Sequence, residues 1–519
     1  MSLHQIWIVD FGSQYTQLIT RKTRELGYSS EILTVDEALE RLQKDDWPGA
    51  LVLSGGPQSV FEDHTDFSIF FRRPELPILG ICYGMQIMAH ALGGHVERGH
   101  LGEYGNARVH FERGQDIAGL PSNFLVWMSH FDHVAGLPSN FEAVLKSDNG
   151  LLAMMMSKDK KVPRMGLQFH PEVEHTQHGK DILRFFYQKI AALREDWSPK
   201  AMLFEGIQLI TEARATNVLC AFSGGVDSLV AATLAHRVLG EHLHCFFVDH
   251  GLLRPQDYAH IEVLKKHTPL SIEIIDAKLI FAERTKGLSD PEDKRKAIGK
   301  TFIEVFETQV HRFEQIHDIH FTHLLQGTLY PDVIESTGPH QKGGKSAVIK
   351  SHHNVGGLPE RMKLKLLEPL RFLFKDEVRA LGLELGLKHQ WVYRHPFPGP
   401  GIGIRVLGEL NSPAILKVQQ SDQILFEELK NFHLYQAIWQ AFTVLLPVRT
   451  VGVKGDARAY EEVIAVRLVN SSDGMTANWS DVPRNFLETV SSRITNEVLG
   501  ITRVVYDITS KPPGTIEWE

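Results

Sequence analysis

Apolar residues fall in short blocks separated by polar, glycine-bearing breaks, and over the first 95 residues this spacing predicts strands alternating with helices. Gln5–Val9 is an apolar run ending in Asp10, and Tyr15–Leu26 has a helical period that closes at Gly27. Gly49–Leu53 is a second strand, broken by Ser54-Gly55-Gly56-Pro57. Pro77–Ile81 is a third, followed by a helix-like run from Tyr83 to Leu92 that stops at Gly93-Gly94. Apolar strands alternating with helices argue for a parallel sheet covered on both faces. Beyond residue 95 the pattern becomes β-rich, with runs at Arg108–Phe111, Phe124–Met128, Glu142–Lys146, Leu151–Met156 and Arg164–Gln168. A helix, His178–Ile190, follows, and the polar, Pro-containing stretch Arg194–Lys200 marks a boundary.

The alternation then restarts, with a strand at Asn217–Phe222, a helix at Ser228–Leu239 and a strand at Leu243–Val248. Ser271–Ile275 and His323–Leu325 read as later strands. The pattern ends near His395, where Pro398-Gly399-Pro400-Gly401 forbids helix or central strand. The rest is mixed. Helices are expected over Ala414–Lys430 and Tyr435–Leu445, strands around Gly455-Asp456, a helix from Asp481-Pro483 to Leu499, and a last strand over Arg503–Ile508. The expected class is α/β: two doubly wound, mostly parallel-sheet domains (1–197 and 198–394) followed by a smaller α+β domain (395–519).

Composition narrows the function. The chain has 519 residues, enough for about three domains. Its 43% apolar content supports packed cores, and 55 basic against 63 acidic residues give a net charge of −8. Such a chain has no global attraction for nucleic acid or an anionic membrane, so neither is an expected partner. Three scattered cysteines exclude a disulfide framework and fit a reducing compartment. The first ten residues lack a signal-peptide pattern, and no apolar run approaches a membrane span, so a cytoplasmic location is expected. There are 27 histidines, none in a Cys/His spacing typical of zinc.

Gly80-Ile81-Cys82-Tyr83-Gly84 sits between an apolar strand and a helix, the context of a nucleophile elbow with Cys in the Ser position. Glycines on either side relieve a tight turn, and the helix N-terminus favours a thiolate and can cradle an oxyanion. A second segment, Gln168-Phe169-His170-Pro171-Glu172, ends another strand run. His170 could take the thiol proton and Glu172 orient the imidazole, as in a Ser-His-Asp triad. Taken alone, each residue also reads as packing: Cys82 as a small core residue, His170 as a satisfied loop histidine.

These motifs, with SGGP at 54–57, resemble the class I glutamine amidotransferases, which hydrolyse glutamine and release ammonia. The resemblance implies Cys82 as nucleophile, His170 as base and Glu172 as orienter. It implies oxyanion N–H groups from Gly55 and Tyr83, and a glutamine site from Gln86, Ser129, His130 and the rest of the segment to Asp132. Phe131 stands where that family usually has Gly.

Ser223-Gly224-Gly225-Val226-Asp227-Ser228 follows a strand and opens a helix, so backbone N–H groups can approach an anion there. This loop itself contains no Gly-Lys-Ser/Thr, so the usual P-loop lysine is missing from it. The plain alternative is a strand–helix turn with Ser228 as a cap. SGGVDS resembles the signature of the N-type ATP pyrophosphatases, which cleave ATP between the α and β phosphates and adenylate an oxygen. The resemblance implies that Ser223, Gly224, Gly225, Val226 and Ser228 hold pyrophosphate and that Asp227 helps to place Mg²⁺. It puts Asp249 on the adenosine side, and Gly327 permits close approach of adenine. The polar, glycine-rich stretch from Tyr330 to Glu360 reads as a lid whose Lys350, His352 and His353 could meet phosphates, or as a long surface loop.

Fused in this order, with KRKAIG at 294–299, HPFPGPGIGIR at 395–405 and SKPPGTIEWE at 510–519, the chain resembles the glutamine-hydrolysing GMP synthase family over its whole length. That implies ATP and Mg²⁺, with xanthosine monophosphate (XMP) and glutamine as further substrates. It also implies XMP contacts from Arg295, Arg405, Lys511, Ile516 and Glu517, and a homodimer through the last domain. An NAD-synthetase-like enzyme with another acceptor, a non-catalytic purine sensor and a zinc protein are the competing readings.

Overall fold

Strands β1 (Ile6–Asp10), β2 (Ser30–Thr34), β3 (Ala50–Leu53) and β4 (Ile78–Ile81) lie parallel in the order β2-β1-β3-β4. In this computed structural model residues 4–63, 65–99, 102–336, 364–454, 457–471 and 476–519 are described. They divide into two compact units, Met1–Ala201 and Met202–Glu519.

In the first unit, a short ribbon pairs β5 (His95–Glu97) with β8 (His133–Gly136), and a nine-stranded sheet is completed by five more strands. These are β6 (Glu103–Phe111), β7 (Asn123–His130), β9 (Phe141–Ser147), β10 (Leu152–Ser157) and β11 (Arg164–Leu167). The sheet runs β2-β1-β3-β4-β11-β10-β9-β6-β7: β11 joins β4 in parallel, and every pairing beyond it is antiparallel. Every residue of β3, β4 and β11 is buried, because helices and loops cover both faces. Helix α1 (Thr16–Glu25), α2 (Val35–Gln43), α3 (Tyr83–Ala91) and α4 (Gly179–Phe185) are among these covers. The α2 helix begins with a reciprocal Thr34–Glu37 capping box.

The second unit holds a fully parallel sheet in the order β14 (Ile272–Asp276), β13 (Leu243–Asp249), β12 (Val218–Ala221), β15 (His323–Leu325), β16 (Lys365–Leu367). Strand order reverses between β12 and β15, the place where open α/β sheets bind ligands. Helices α5 (Val226–Leu239), α6 (Pro291–His317) and α7 (Lys375–Glu384) belong to this layer. After 395, α8 (Ser412–Asn431) and α9 (Arg484–Glu497) accompany a second sheet. It comprises β17 (Gln440–Lys454), β18 (Ala457–Asn470), β19 (Asn478–Trp479) and β20 (Ile501–Asp507). One core runs through both parts, from Leu219, Phe246 and Phe306 to Val418, Ile464 and Phe486, so residues on either side of 394 share their buried contacts.

One expected element is overturned. The helix expected over Tyr435–Leu445 is instead the start of β17, whose pairing with β18 begins at Gln440↔Val469. Ala441, Phe442, Val444 and Leu445 are all buried, on both faces of the strand. A run buried on both faces has no period to distinguish helix from strand. Pro447 then lies in a bulge, where the register shifts between Leu446 and Arg449. Lys350, His352 and His353 lie outside the described residues. Among those described, no helix is long and apolar enough to cross a membrane.

Candidate active sites

Three motifs of the first unit end three adjacent parallel strands: Ser54-Gly55 after β3, Cys82 after β4, and Gln168 to His170 after β11. Sheet order alone therefore brings them together. Cys82 turns the chain with φ 52° and ψ −107°, a left-handed conformation that an L-residue adopts only under strain and that lifts its sulfur out of the sheet. The flanking glycines are obligatory for close approach. A Cβ on Gly84 would lie 2.2 Å from the Leu53 carbonyl oxygen, and one on Gly80 would lie 2.6 Å from that of Gly84.

His170 is buried, and its Nδ1 lies 2.7 Å from Glu172 Oε1, with the Glu172 side chain fully enclosed. Burial alone would push the imidazole down. Glu172 and the Cys82 sulfur together outweigh it and hold His170 well above the usual histidine value. Tyr15 meets the His170 ring edge-on at 4.9 Å, and Thr176 Oγ1 donates to the His170 carbonyl at 2.6 Å. The Cys82 thiol points at the Ser129 carbonyl, 3.6 Å away. A Cβ on Gly55 would come within 3.1 Å of His170 Cε1, so the Gly55 backbone lies against the imidazole. Tyr83 is the first residue of α3, so its N–H has no acceptor within the helix.

The remaining expected residues of this site support a turn. Gln86 Nε2 donates to the Asp132 carbonyl at 2.7 Å, and His130 Nδ1 lies 3.1 Å from the same oxygen. His130 faces inward, its Nε2 3.3 Å from Glu103, a buried carboxylate that also accepts from Ser147 and Asn149 at 2.9 and 2.7 Å. Phe131 is 48% exposed. Sequence reasoning missed Glu103 because its only signal is a lone carboxylate, 27 residues before its partner His130 and in neither motif.

In the second unit the same logic holds. Ser223-Gly224-Gly225 follows β12, Asp249 ends β13, and Gln326-Gly327-Thr328 follows β15, with β12 central. The 223–225 and 326–328 segments line a cavity of about 480 Å³ together with Lys375, Arg394 and Pro398, and from β13 it is Val248 and His250, on either side of Asp249, that reach it. The loop is organised by hydroxyls: Ser223 and Ser228 Oγ atoms lie 3.0 Å apart, Gly225 N–H donates to Ser223, and Ser228 donates to the Gly225 carbonyl. Gly224 has φ +72°, and a Cβ there would strike Ile261 at 2.2 Å. A Cβ on Gly327 would lie 2.9–3.1 Å from Asp227, so the β15 loop packs on the 223–228 loop. Val226 is the first residue of α5.

Asp227 is shared between two environments. Its Oδ2 receives Lys375 Nζ at 2.5 Å, while its Oδ1 is buried with no partner among the described residues. An orphaned carboxylate oxygen beside a hydroxyl-rich anion loop suits a divalent cation carried with phosphates. Among the described residues no cluster of three His, Cys, Asp or Glu side chains could hold a metal by itself. Lys375, at the start of a helix 148 residues from Asp227, carries no motif and escaped sequence reasoning. Asp249 is paired with Lys278 at 3.0 Å and caps the Gly251 N–H.

The expected contacts of the third motif set are brought partly together. Arg405 is fully buried and grips Glu517 with Nε and Nη2 at 3.2 and 2.9 Å. Ile516 packs on Phe442, Val444 and Ala465. In KRKAIG it is Lys294 that is buried, bonded to Glu519 at 2.8 Å and the Val406 carbonyl at 2.6 Å, while Arg295 Nε is buried with no hydrogen-bond partner among the described residues. The Lys511 backbone pairs with Ala477 in both directions. Residues 511–519 are thus fastened to the unit, and Trp518 Nε1 adds a bond to Asp507 at 3.0 Å.

Family models agree with this layout. "Glutamine amidotransferase class-I" matches residues 7–190, "Phosphoadenosine phosphosulfate reductase domain" 217–328, and "GMP synthase C terminal domain" 427–518. Among full-length relatives, proteins named GMP synthase [glutamine-hydrolyzing] from Aquifex aeolicus and Chlorobium phaeovibrioides are each 49% identical, over 100% of both chains. One of the same name from Thermosipho melanesiensis is 48% identical over 99% of each. A solved glutamine amidotransferase from Thermotoga maritima is 23% identical over 36% of this chain and 84% of that chain, with a TM-score of 0.28. By its full-length identity to these relatives and the match of all three models, the chain belongs to the glutamine-hydrolysing GMP synthase family.

Proposed function

We propose that the chain makes GMP from XMP, with ATP and glutamine as co-substrates. ATP adenylates the C2 oxygen of XMP: that oxygen attacks the α-phosphorus and pyrophosphate leaves. Ammonia then attacks C2, and AMP leaves with the oxygen. Activation is needed because a carbonyl-type oxygen is a poor leaving group until it carries phosphate. Full-length relatives of one name favour this acceptor over an NAD-synthetase-like one.

In the first unit Cys82 attacks the glutamine amide carbon, and His170, oriented by Glu172, moves the thiol proton to the departing ammonia. Water then cleaves the thioester. The N–H groups of Gly55 and Tyr83 receive the oxyanion. Gln86, Ser129 and His130 hold glutamine, and the contact of Gln86 and His130 with the Asp132 carbonyl supports that reading. In the second unit the 223–228 loop receives pyrophosphate, with Asp249 and Gly327 at the adenosine side. Asp227 would hold Mg²⁺, which when bound neutralises phosphate charge; its unpartnered Oδ1 is the supporting observation. Lys350, His352 and His353 would close over the phosphates. Arg295 and Lys511 suit the XMP phosphate, while Ile516 and Glu517 meet the purine, with Arg405 behind Glu517. The exposed Val451, Val453 and Tyr460 on the long β17–β18 hairpin support a homodimer through the last part of the chain. A cytoplasmic location fits this metabolism.

The observation that carries the reading is the pairing of a Cys–His–Glu site in one unit with an anion loop at the strand-order reversal of the other. AMP formation with XMP, ATP, Mg²⁺ and glutamine, each omitted in turn, tests it. Only the glutamine omission should be rescued by ammonium, and AMP release without XMP would refute it.

A further inference from the structure

Six charged side chains of the second unit alternate in sign along one buried line. Arg394 Nη2 reaches Asp257 Oδ1 at 2.6 Å, and Asp257 takes Arg254 in a two-pronged pair at 2.6 and 3.0 Å. Arg254 Nη1 stands 3.8 Å from Asp422 Oδ2, and that same oxygen accepts from Arg405 Nη1 at 3.3 Å. Arg405 ends the line on both oxygens of Glu517. Arg394 and Asp257 face the cavity, and Glu517 is the exposed end, its side chain 18% accessible.

The middle of the line cannot touch a substrate. The side chains of Arg405 and Asp422 are both wholly enclosed. The Arg405 guanidinium lies 4.3 Å from the Phe442 ring centre, and Asp422 Oδ1 is taken by the Thr443 N–H at 2.6 Å and hydroxyl at 2.8 Å. Arg405, one of the expected XMP contacts, has its fork directed at Glu517.

The acceptor count on Glu517 is specific. A carboxylate has about four lone-pair positions. Oε1 accepts from Arg405 Nη2 and from Gln440 Nε2 at 2.8 Å, and Oε2 accepts from Arg405 Nε. Among the described residues this leaves one position, on Oε2, for a single donor. Its direction is fixed by the fork, and the fork by Asp422.

We propose that Asp422 is a positioning residue for Glu517: it locks the Arg405 fork so that the free Oε2 lone pair is aimed at one purine N–H, and Arg405 serves XMP only through that carboxylate. This rests on the reading that Glu517 accepts a hydrogen bond from XMP. Replacing Asp422 leaves Arg254 and Arg405 without the carboxylate between them, so the fork turns away from its present axis.

The test is the ammonium-driven reaction of the full chain, with kcat and the KM for XMP measured separately for Asp422→Asn and Thr443→Val. Each is made in the natural background and in Glu517→Gln. Asp422→Asn should raise the KM for XMP about tenfold with kcat within about twofold, the scale of one charge-assisted hydrogen bond. Thr443→Val, which removes one bond to Asp422, should act in the same direction more weakly, and it carries the test if Asp422→Asn does not fold. In the Glu517→Gln background both effects should vanish, because the carboxylate they position is gone. A purely structural Asp422 would cost as much in either background, and that result overturns the proposal. So does an unchanged KM in both single variants. An unchanged KM in Glu517→Gln itself refutes the reading of Glu517, and the proposal with it, through a different variant.

Discussion

The cysteine elbow and the SGGVDS loop hold equivalent positions, at the carboxyl ends of adjacent parallel strands, but their surroundings are assembled differently. Cys82, His170 and Gly55 become neighbours through the order β3-β4-β11. The second site, as proposed, adds Lys375, Arg405 and Glu517, which lie 148 to 290 residues from Asp227 and are held by ion pairs. The first site is made by strand order and the second by charge pairing inside a core. A buried pair tolerates substitution poorly, since removing one partner strands the other.

The largest effect should come from the elbow. Cys82→Ala should lower glutamine-dependent GMP formation by at least roughly 10³-fold, as loss of a triad nucleophile does, and leave the ammonium-dependent rate nearly unchanged. Equal loss with both nitrogen sources would show that the two sites do not act separately.

Asp227→Asn sharpens the comparison from the other side. It replaces the carboxylate, with its Lys375-paired and orphaned oxygens, by a neutral amide, so pyrophosphate release should fall by on the order of 10²-fold. Glutaminase turnover should persist. Unchanged pyrophosphate release would make Asp227 a structural partner of Lys375 alone.

Segment 511–519 comes next. Glu517→Ala should raise the KM for XMP roughly ten- to a hundredfold in the ammonium-driven assay. Deleting 511–519 should stop GMP formation with either nitrogen source while circular dichroism shows a folded chain. Because Lys294 is fully enclosed against Glu519, the deletion should also lower stability, whereas Glu517→Ala leaves that pair intact. A folded deletion with normal XMP affinity would dismiss the segment from the site.

How much of this was legible follows from how each part is held. The elbow, the SGGVDS loop and the β12–β13 pair could be read locally, because strand, glycine turn and helix N-terminus are contiguous. Strand β2 was missed because it is an edge strand with only Ser30 and Leu33 buried, so no apolar run announces it. The start of β17 reads as part of a helix over Tyr435–Leu445 because from Ala441 to Leu445 both faces of the strand are covered. Asp422, Lys375 and Glu103 were invisible for another reason: each is a lone charged residue whose partner lies far along the chain, and no spacing encodes that distance.

The smallest effect expected is at Glu103, and it tests whether the first site also depends on a buried carboxylate. The hydrogen bond from His130 holds Glu103 below the usual carboxylate range; burial opposes it, and Asn149 and Ser147 assist. A depressed folded value means that its stabilisation is present above the unfolded value, about 4.3, and lost as pH falls through the lower folded value. Glu103→Gln should raise the KM for glutamine a few-fold, about the worth of one weakened hydrogen bond, because His130 then holds the Asp132 carbonyl less firmly. Hydrogen exchange through β6, β7 and β9 should be faster in the variant at pH 7. The difference from the natural chain should shrink below about pH 4, where the carboxylate it lacks is being protonated anyway. A difference that stays constant down to pH 3 would mean that Glu103 acts through shape rather than charge, and that the elbow owes nothing to the buried pairing on which the second site depends.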